Sequence, residues 1–497
     1  MSTETDHRDS LRRDFLKTGA GVAALGLAQT GRVLGANDRV RLAICGLRGR
    51  GNDHLKGFSK VPGVEIAAIC DIDESILAGR LADIEKMGLP KPKTYSDVRK
   101  LLEDKSIDAI SVATPNHWHS LMGIWACQAG KDAYVEKPIS HNVWEGRQLV
   151  LAAAHYNRIV QCGSQTRSNT AAREAMEHLR SGLIGDVYLS RGLCFKWRDT
   201  IGRKPKSDVP AGVDYNLWLG PAPDRGFTAN RFHYNWHWFW DSGNGDLGNQ
   251  GIHEVDNARW GLGVGFPNKV SAIGGKFMFN DDQETPNVIN CAYEFNMPDG
   301  THRMMEVEVR HWESNHEAEI GSGAFGASAL PPAGPDATPA APPAVAKAAA
   351  TSTGPRLGSG AGKHNTIGNI YYGSKGYLAL QEYNSYRSWL GEDMEPGPSG
   401  NGKDTHYANF IDCVRSRKAE DLNAPAKEAH MSAALVHLAN VSYRVGRTLH
   451  FDPVTEQVIG DAEANRLLRD EDRGYRKGFE IPKIAGLKSN PTHPTGA

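Results

Sequence analysis

The chain has 497 residues, with 57 Lys plus Arg against 58 Asp plus Glu and a net charge of −1, so it has room for two folded domains but no field with which to hold a polyanion. Nucleic acid is therefore not an expected partner. The seven cysteines are an odd number, include no CxxC pair and fall partly inside apolar strand-like runs, so they form no disulfide framework.

Residues 1–36 read as a targeting segment. Arg12 and Arg13 precede a mildly apolar, Gly/Ala-rich run from Thr18 to Leu27 that is too short to span a bilayer, the pattern of a twin-arginine signal, with small residues near Ala36 for cleavage. The expectation is export of the folded protein to the periplasm and no stable membrane span once the signal is removed. The bland alternative is a basic, flexible N-terminus.

From residue 37 to 163, strand-like and helical patterns alternate, which predicts an α/β domain with a doubly wound parallel sheet. Val40 to Cys45 is the first strand. The turn Gly46-Leu-Arg48-Gly49-Arg50-Gly51 then opens a helix, so its backbone amides can approach a pyrophosphate. Asp71 ends the second strand, where a carboxylate accepts ribose hydroxyls and repels a 2′-phosphate. That favours NAD over NADP. Arg48 stands where the usual fingerprint has its second glycine, and with Arg50 it keeps NADP open.

Further along, Thr114-Pro115-Asn116 leaves the next strand at the same carboxyl edge and leads through His119 into a helix. The run Asp132-Ala-Tyr-Val135 is a short buried strand ending on Glu136-Lys137-Pro138, charged groups that a strand interior would not accept. Ligands bind at that edge of an open α/β sheet, which places Lys137 in a site. Thr114-Pro-Asn-x-x-His119, Ala129-Gly-Lys131 and Glu136-Lys137-Pro138, spaced in this way after a dinucleotide turn, resemble the glucose-fructose oxidoreductase/inositol dehydrogenase (Gfo/Idh/MocA) family. The resemblance implies an N-terminal Rossmann domain, an α+β domain with a large, mostly antiparallel sheet, and an active site between them. It also implies that Pro115, Asn116, His119, Glu136 and Lys137 join Gly46, Arg48, Gly49, Arg50, Gly51 and Asp71 around the dinucleotide. Pairing into a homo-oligomer through the second sheet is expected on the same ground.

The second domain is expected over residues 164–450, with a charged tail over 451–497 that shows little beyond a helix from Ala462 to Leu468. Residues 317–365 are too poor in bulky apolar side chains to pack and read as a disordered insertion. His406, His430 and His437 lie on helical patterns and read as packing or capping residues.

The informative stretch of this domain is Asn244 to Trp260. A helix from about Asn249 would put Asn249, His253 and Asp256 on one face. The family has a similar helix with an Asp four residues before the His, where this chain has Asn249, which can hold a hydroxyl but cannot take its proton. His253 is thus the expected proton carrier and Lys137 the cation beside the reacting oxygen. Upstream, His233 to Asp241 concentrates aromatic and polar groups, which serve equally as a sugar platform or as core packing. Expected substrate contacts are Gln165, Arg167, Asn235, Trp236, Asn249 and His253. His233 and His237 lie four apart but have Tyr234 where a zinc protease has Glu, so no metal is expected. Three functions remain open. The first is an NAD-dependent oxidoreductase acting on a sugar or cyclitol carbinol, the second a redox-neutral glycosidase or lyase that oxidises transiently and eliminates, and the third a non-catalytic sugar- or NAD-binding protein.

Overall fold

A computed structural model describes residues 39–311, 365–471 and 473–484. The expected signal over 1–36 and nearly all of the expected insertion over 317–365 lie outside the described residues. No helix among the described residues is long and apolar enough to cross a membrane.

The first layer is a six-stranded, wholly parallel sheet of β1 (Val40–Cys45), β2 (Val64–Cys70), β3 (Lys93–Tyr95), β4 (Ala109–Val112), β5 (Asp132–Val135) and β6 (Val160–Cys162). The strands lie in the order β3-β2-β1-β4-β5-β6. Every residue of β4, β5 and β6 is buried, as continuous apolar runs require when helices cover both faces. Strand order reverses at β1, between β2 and β4, and the carboxyl ends there diverge around a crevice. Gly46 turns the chain into that crevice at φ +80°, and a Cβ there would lie 2.7 Å from the Ala113 carbonyl oxygen. Only glycine fits this turn.

Part of one face of this sheet is covered from far along the chain. Phe410, Ile411, Cys413 and Val414 of the helix His406–Ser416 pack with Leu42, Ile44, Phe58, Ile66 and Tyr134. Each large apolar side chain buried this way contributes about 1.5–3 kcal/mol. His406 pins the joint, its Nε2 2.7 Å from the Cys162 carbonyl oxygen and its Nδ1 2.6 Å from Ser168 Oγ.

The second layer is a ten-stranded sheet of β7 (Val187–Lys196), β8 (Lys269–Gly275), β9 (Val288–Asn296), β10 (His302–His311), β11 (Thr366–Gly373), β12 (Gly376–Gln381), β13 (Ser385–Leu390), β14 (Glu395–Asn401), β15 (Leu449–Asp452) and β16 (Gln457–Val458). Its order is β14-β13-β12-β11-β7-β10-β9-β8-β15-β16, and only β7 and β10 run parallel. Helices Gly251–Leu262 and Ala426–Val445 bury Ile252, Val255, Leu262, Leu435 and Leu438 in one core with Cys194, Val307, Val309 and Tyr371. His430 and His437 are buried inside that packing, with Nε2 atoms 2.9 Å from Glu456 and 3.2 Å from Ser140 Oγ.

The tail does more than periodicity suggests. Beyond the helix Ala462–Leu467, Asp470 lies 2.8 Å from His141 Nδ1, the Tyr475 hydroxyl donates to Glu145 at 2.9 Å, and Phe479 meets Trp118 edge-on at 5.6 Å. Single aromatic and charged residues spaced along an irregular segment carry no periodic signal, so this docking is a tertiary event.

Candidate active site

A cavity of about 310 Å³ opens at the carboxyl ends of β1, β2, β4 and β5, lined from one side by Gly46 to Arg50, Asp71, Pro115, Asn116, His119, Glu136 and Lys137. Leu217, Trp218, His233, Tyr234, Trp236, His237 and Asn249 line it from the other side.

The glycine turn is shaped for a close backbone approach. A Cβ at Gly51 would sit 1.7 Å from the Gly46 carbonyl oxygen, whereas one at Gly49 would meet nothing within 4 Å. The helix Gly49–Phe58 begins without a side-chain cap, which leaves its first amides for an anion. Asp71 accepts from the amides of Leu47 at 2.7 Å and Asp73 at 3.1 Å, one on each oxygen, and each oxygen keeps a lone pair. Burial holds its carboxyl above the usual carboxylate range. These features fit a dinucleotide, its phosphates on the turn and its ribose on Asp71.

Arg50 is largely committed elsewhere. Its Nε donates to Glu136 at 2.7 Å, and Glu136 also meets His54 Nε2 at 2.9 Å and Gln165 Nε2 at 3.3 Å. Burial alone would raise the Glu136 carboxyl, but the Arg50 charge and the His54 contact hold it well below the usual range. The buried Arg50 Nη2 retains no protein partner. Asn116 donates to Asn244 Oδ1 at 2.9 Å, and His119 bridges the carbonyls of Pro138 at 2.6 Å and Thr114 at 2.8 Å. These two side chains therefore brace the cavity wall against its neighbours.

Lys137 leaves the end of β5 and donates to the Asn249 carbonyl oxygen at 2.6 Å. Burial lowers its ammonium to about 8, with Glu136 opposing the shift. Asn249 is held in turn by Asp246, which accepts its amide at 3.2 Å, and by the Tyr234 hydroxyl at 3.4 Å. Asp246 is fully enclosed, bound by Arg198 at 2.8 and 3.0 Å and by His311 at 2.9 Å. Burial would raise its carboxyl, but Arg198 holds it well below the usual range. None of Asp246, Arg198 and His311 stands out in the sequence, because they meet only across the second sheet.

Four expected substrate residues do not line this cavity. The helix expected from Asn249 breaks at Gln250, so Asn249 ends the short helix Gly245–Asn249 while His253 belongs to Gly251–Leu262. His253 is half-buried, packs 4.9 Å from the Tyr383 ring, and has its imidazole pulled well below the ordinary value by burial and then by the Lys137 charge. Gln165 is bonded to Tyr134 and Glu136. Arg167 forms a buried fork on Asp256 at 2.8 and 2.9 Å, where it cannot reach the cavity, and Asp256 thereby turns away from the face expected to carry Asn249 and His253. Asn235 lies beside the cavity without lining it. The aromatic cluster divides between its two readings, with His233, Tyr234, Trp236 and His237 at the cavity and Trp238 and Phe239 buried elsewhere.

Among the described residues, His141, Glu145 and Asp470 are spaced for a metal ion. Arg473 already places a guanidinium there, 3.2 Å from Asp470, so a second cation would be repelled.

A family model described as an oxidoreductase family with an NAD-binding Rossmann fold matches residues 40–164, and its companion C-terminal alpha/beta domain matches 168–304 and 369–477. The chain belongs to the Gfo/Idh/MocA oxidoreductase family. A glycosyl hydrolase family 109 protein of Shewanella pealeana is 32% identical over 203 residues, which is 35% of this chain and 44% of the relative. The match thus spans less than half the length of that relative. The WlbA dehydrogenase of Chromobacterium violaceum, solved with NADH and UDP-GlcNAcA, shares the fold at 18% identity and TM-score 0.58, over 85% of this chain and 99% of that one. Levoglucosan dehydrogenase, solved with NADH and levoglucosan, is similar at 15% identity and TM-score 0.56, over 83% and 99%.

For this Gfo/Idh/MocA member, Asn249→Ala is expected to raise KM more than it lowers kcat. The side chain can orient a hydroxyl but cannot take a proton, and the contact to Lys137 comes from the Asn249 backbone, which the substitution keeps. Steady-state kinetics on an identified substrate check this. A fall in kcat with KM unchanged would mean that Asn249 acts in the transition state alone.

Proposed function

We propose that the chain is an NAD-dependent oxidoreductase that moves a hydride between a sugar or cyclitol carbinol and the nicotinamide. The observation that carries this reading is Lys137, whose ammonium emerges from a Rossmann strand into the dinucleotide cavity and is held there by a backbone carbonyl of the other domain. NAD, when bound, supplies the hydride acceptor. Lys137 lowers the cost of negative charge on the carbinol oxygen. The proton role is assigned to His253 on the family resemblance; its imidazole is neutral, but it stands on the next helix beyond Asn249, outside the cavity lining, and burial and the Lys137 charge make it a weak base. Asn249 and the exposed ring of Tyr234 orient the carbinol.

A second reading uses the same residues for redox-neutral chemistry, in which a sugar hydroxyl is oxidised, a neighbouring glycosidic substituent is eliminated and the hydride is returned. The similarity to a glycosyl hydrolase family 109 protein supports it. Purified protein incubated with a panel of monosaccharides, cyclitols and glycosides, followed for both NADH absorbance and released aglycone, separates the two. NADH growth is the result expected here, aglycone release without it selects the second reading, and neither signal with dinucleotide still bound makes the protein a binder.

Export through the twin-arginine route is also proposed, from the paired arginines before the Thr18–Leu27 run. Replacing Arg12 and Arg13 by Lys should trap the protein in the cytoplasm, and unchanged fractionation would defeat the idea.

A further inference from the structure

At the adenosine end of the cavity, the chain carries a cation that Asp71 does not control. Arg48 lines the cavity with its side chain 48% exposed, directly after Leu47, whose amide donates to the Asp71 carboxylate at 2.7 Å. Its Nη2 lies 3.3 Å from Oδ2 of Asp73, a residue that does not line the cavity and whose side chain is 5% exposed. The same Oδ2 lies 3.3 Å from His233 Nε2, which comes from the other domain. An earlier part of that domain is tied to the chain just after β2 by backbone bonds from Glu74 to Gly212 and from Asp214 to Ile72, both 2.9 Å. Asp73 Oδ1 is used separately, capping the helix Glu74–Lys86 through the amides of Ser75 at 3.0 Å and Ile76 at 3.4 Å. Arg50, the other arginine of the turn, is turned toward Glu136 through its Nε, with its Nη2 buried and lacking a protein partner.

We infer that Asp73 sets the choice between NAD and NADP by holding Arg48, so that the guanidinium cannot fork onto a 2′-phosphate. A planar guanidinium binds a phosphate through two parallel hydrogen bonds, and one already oriented on a carboxylate must break that contact first. Asp73 is thus a positioning residue that acts through Arg48, while Asp71 meets the ribose directly. Burial would raise the Asp73 carboxyl, but Ser75 and Arg48 hold it below the usual range, so it is charged at neutral pH. His233 is lowered to about 3 by burial and the Arg48 charge, so it can donate only a neutral N–H to Asp73 and does not neutralise it.

The two functions of Asp73 fall on different oxygens, which makes the test clean. Asp73→Asn keeps a capping oxygen, since Asn and Asp cap equally well, and removes the charge. Affinities for NAD and NADP are read from quenching of tryptophan fluorescence in cofactor-stripped protein, because Trp118 and Trp218 line the cavity. In Asp73→Asn, NADP should bind about 10- to 100-fold more tightly, the worth of a charge-assisted bond, while NAD changes little. Arg48→Ala added to that variant should erase the gain. An unchanged ratio of affinities in Asp73→Asn, or a gain that survives loss of Arg48, overturns the inference. Arg48→Ala alone tests it without touching the cap: the ratio of NAD to NADP affinity should stay near the wild-type value there, whatever both lose together, and a loss confined to NADP would show that Arg48 was already free.

Discussion

Lys137→Ala is expected to lower turnover on an identified carbinol by about 10²- to 10⁴-fold while NAD still binds. On the proposed reading the lysine supplies the charge next to the oxygen as hydride leaves, whereas the dinucleotide end of the cavity is formed by Gly46, Gly49 and Asp71, which the substitution leaves intact. The pH profile gives the sign. Burial lowers Lys137 to about 8, so kcat/KM for carbinol oxidation should fall as pH rises through that value and the charged form is lost. In Lys137→Ala this limb should vanish. A wild-type limb that instead rises toward pH 8 would mean that the neutral amine takes the proton and would move that role from His253 to Lys137. Near-wild-type turnover of Lys137→Ala would remove the residue from the chemistry.

Arg167→Ala is expected to destabilise the protein by about 3–5 kcal/mol, because it leaves Asp256 charged, buried and without its fork. Ser432 still donates to Asp256 at 2.6 Å but brings no charge. A drop in the urea midpoint with KM for substrate unchanged is the expected signature. Arg167→Lys keeps the charge but not the two parallel bonds, and should fall between wild type and Ala. A raised KM with an unshifted midpoint would return Arg167 to the substrate role that its position after the Rossmann domain suggests.

The comparison of these two residues shows where local sequence is sufficient. Lys137 follows a short buried strand, and an amine at the carboxyl end of a parallel strand has one edge to emerge from, so its placement is legible from a dozen residues. The same holds for the glycine turn and for Asp71, both spaced along one β-α-β unit. Arg167 sits one turn past the domain boundary, and nothing nearby says whether it faces solvent, ligand or another chain segment. Its partner Asp256 is 89 residues away. Asp256 itself shows how a helical face misleads. Its spacing from Asn249 and His253 predicts a shared surface, but the helix breaks at Gln250 and a buried arginine claims it.

By itself the sequence determined the two-domain α/β architecture and placed the glycine turn, Asp71 and Lys137 together at the carboxyl ends of the first sheet's strands, since alternating apolar periods and short fixed spacings encode these within about 30 residues. Tertiary structure alone decided that the helix His406–Ser416 covers part of the Rossmann sheet, that the tail from Asp470 to Phe479 docks on His141, Glu145 and Trp118, that Arg198 and His311 lock Asp246 behind Asn249, and that Asp73 claims Arg48. The physical reason is the same in each case. A buried charge or an apolar face must find a partner, but which one it finds depends on the path of the whole chain, because pairing energies act over a few ångströms in space and are indifferent to separation in sequence.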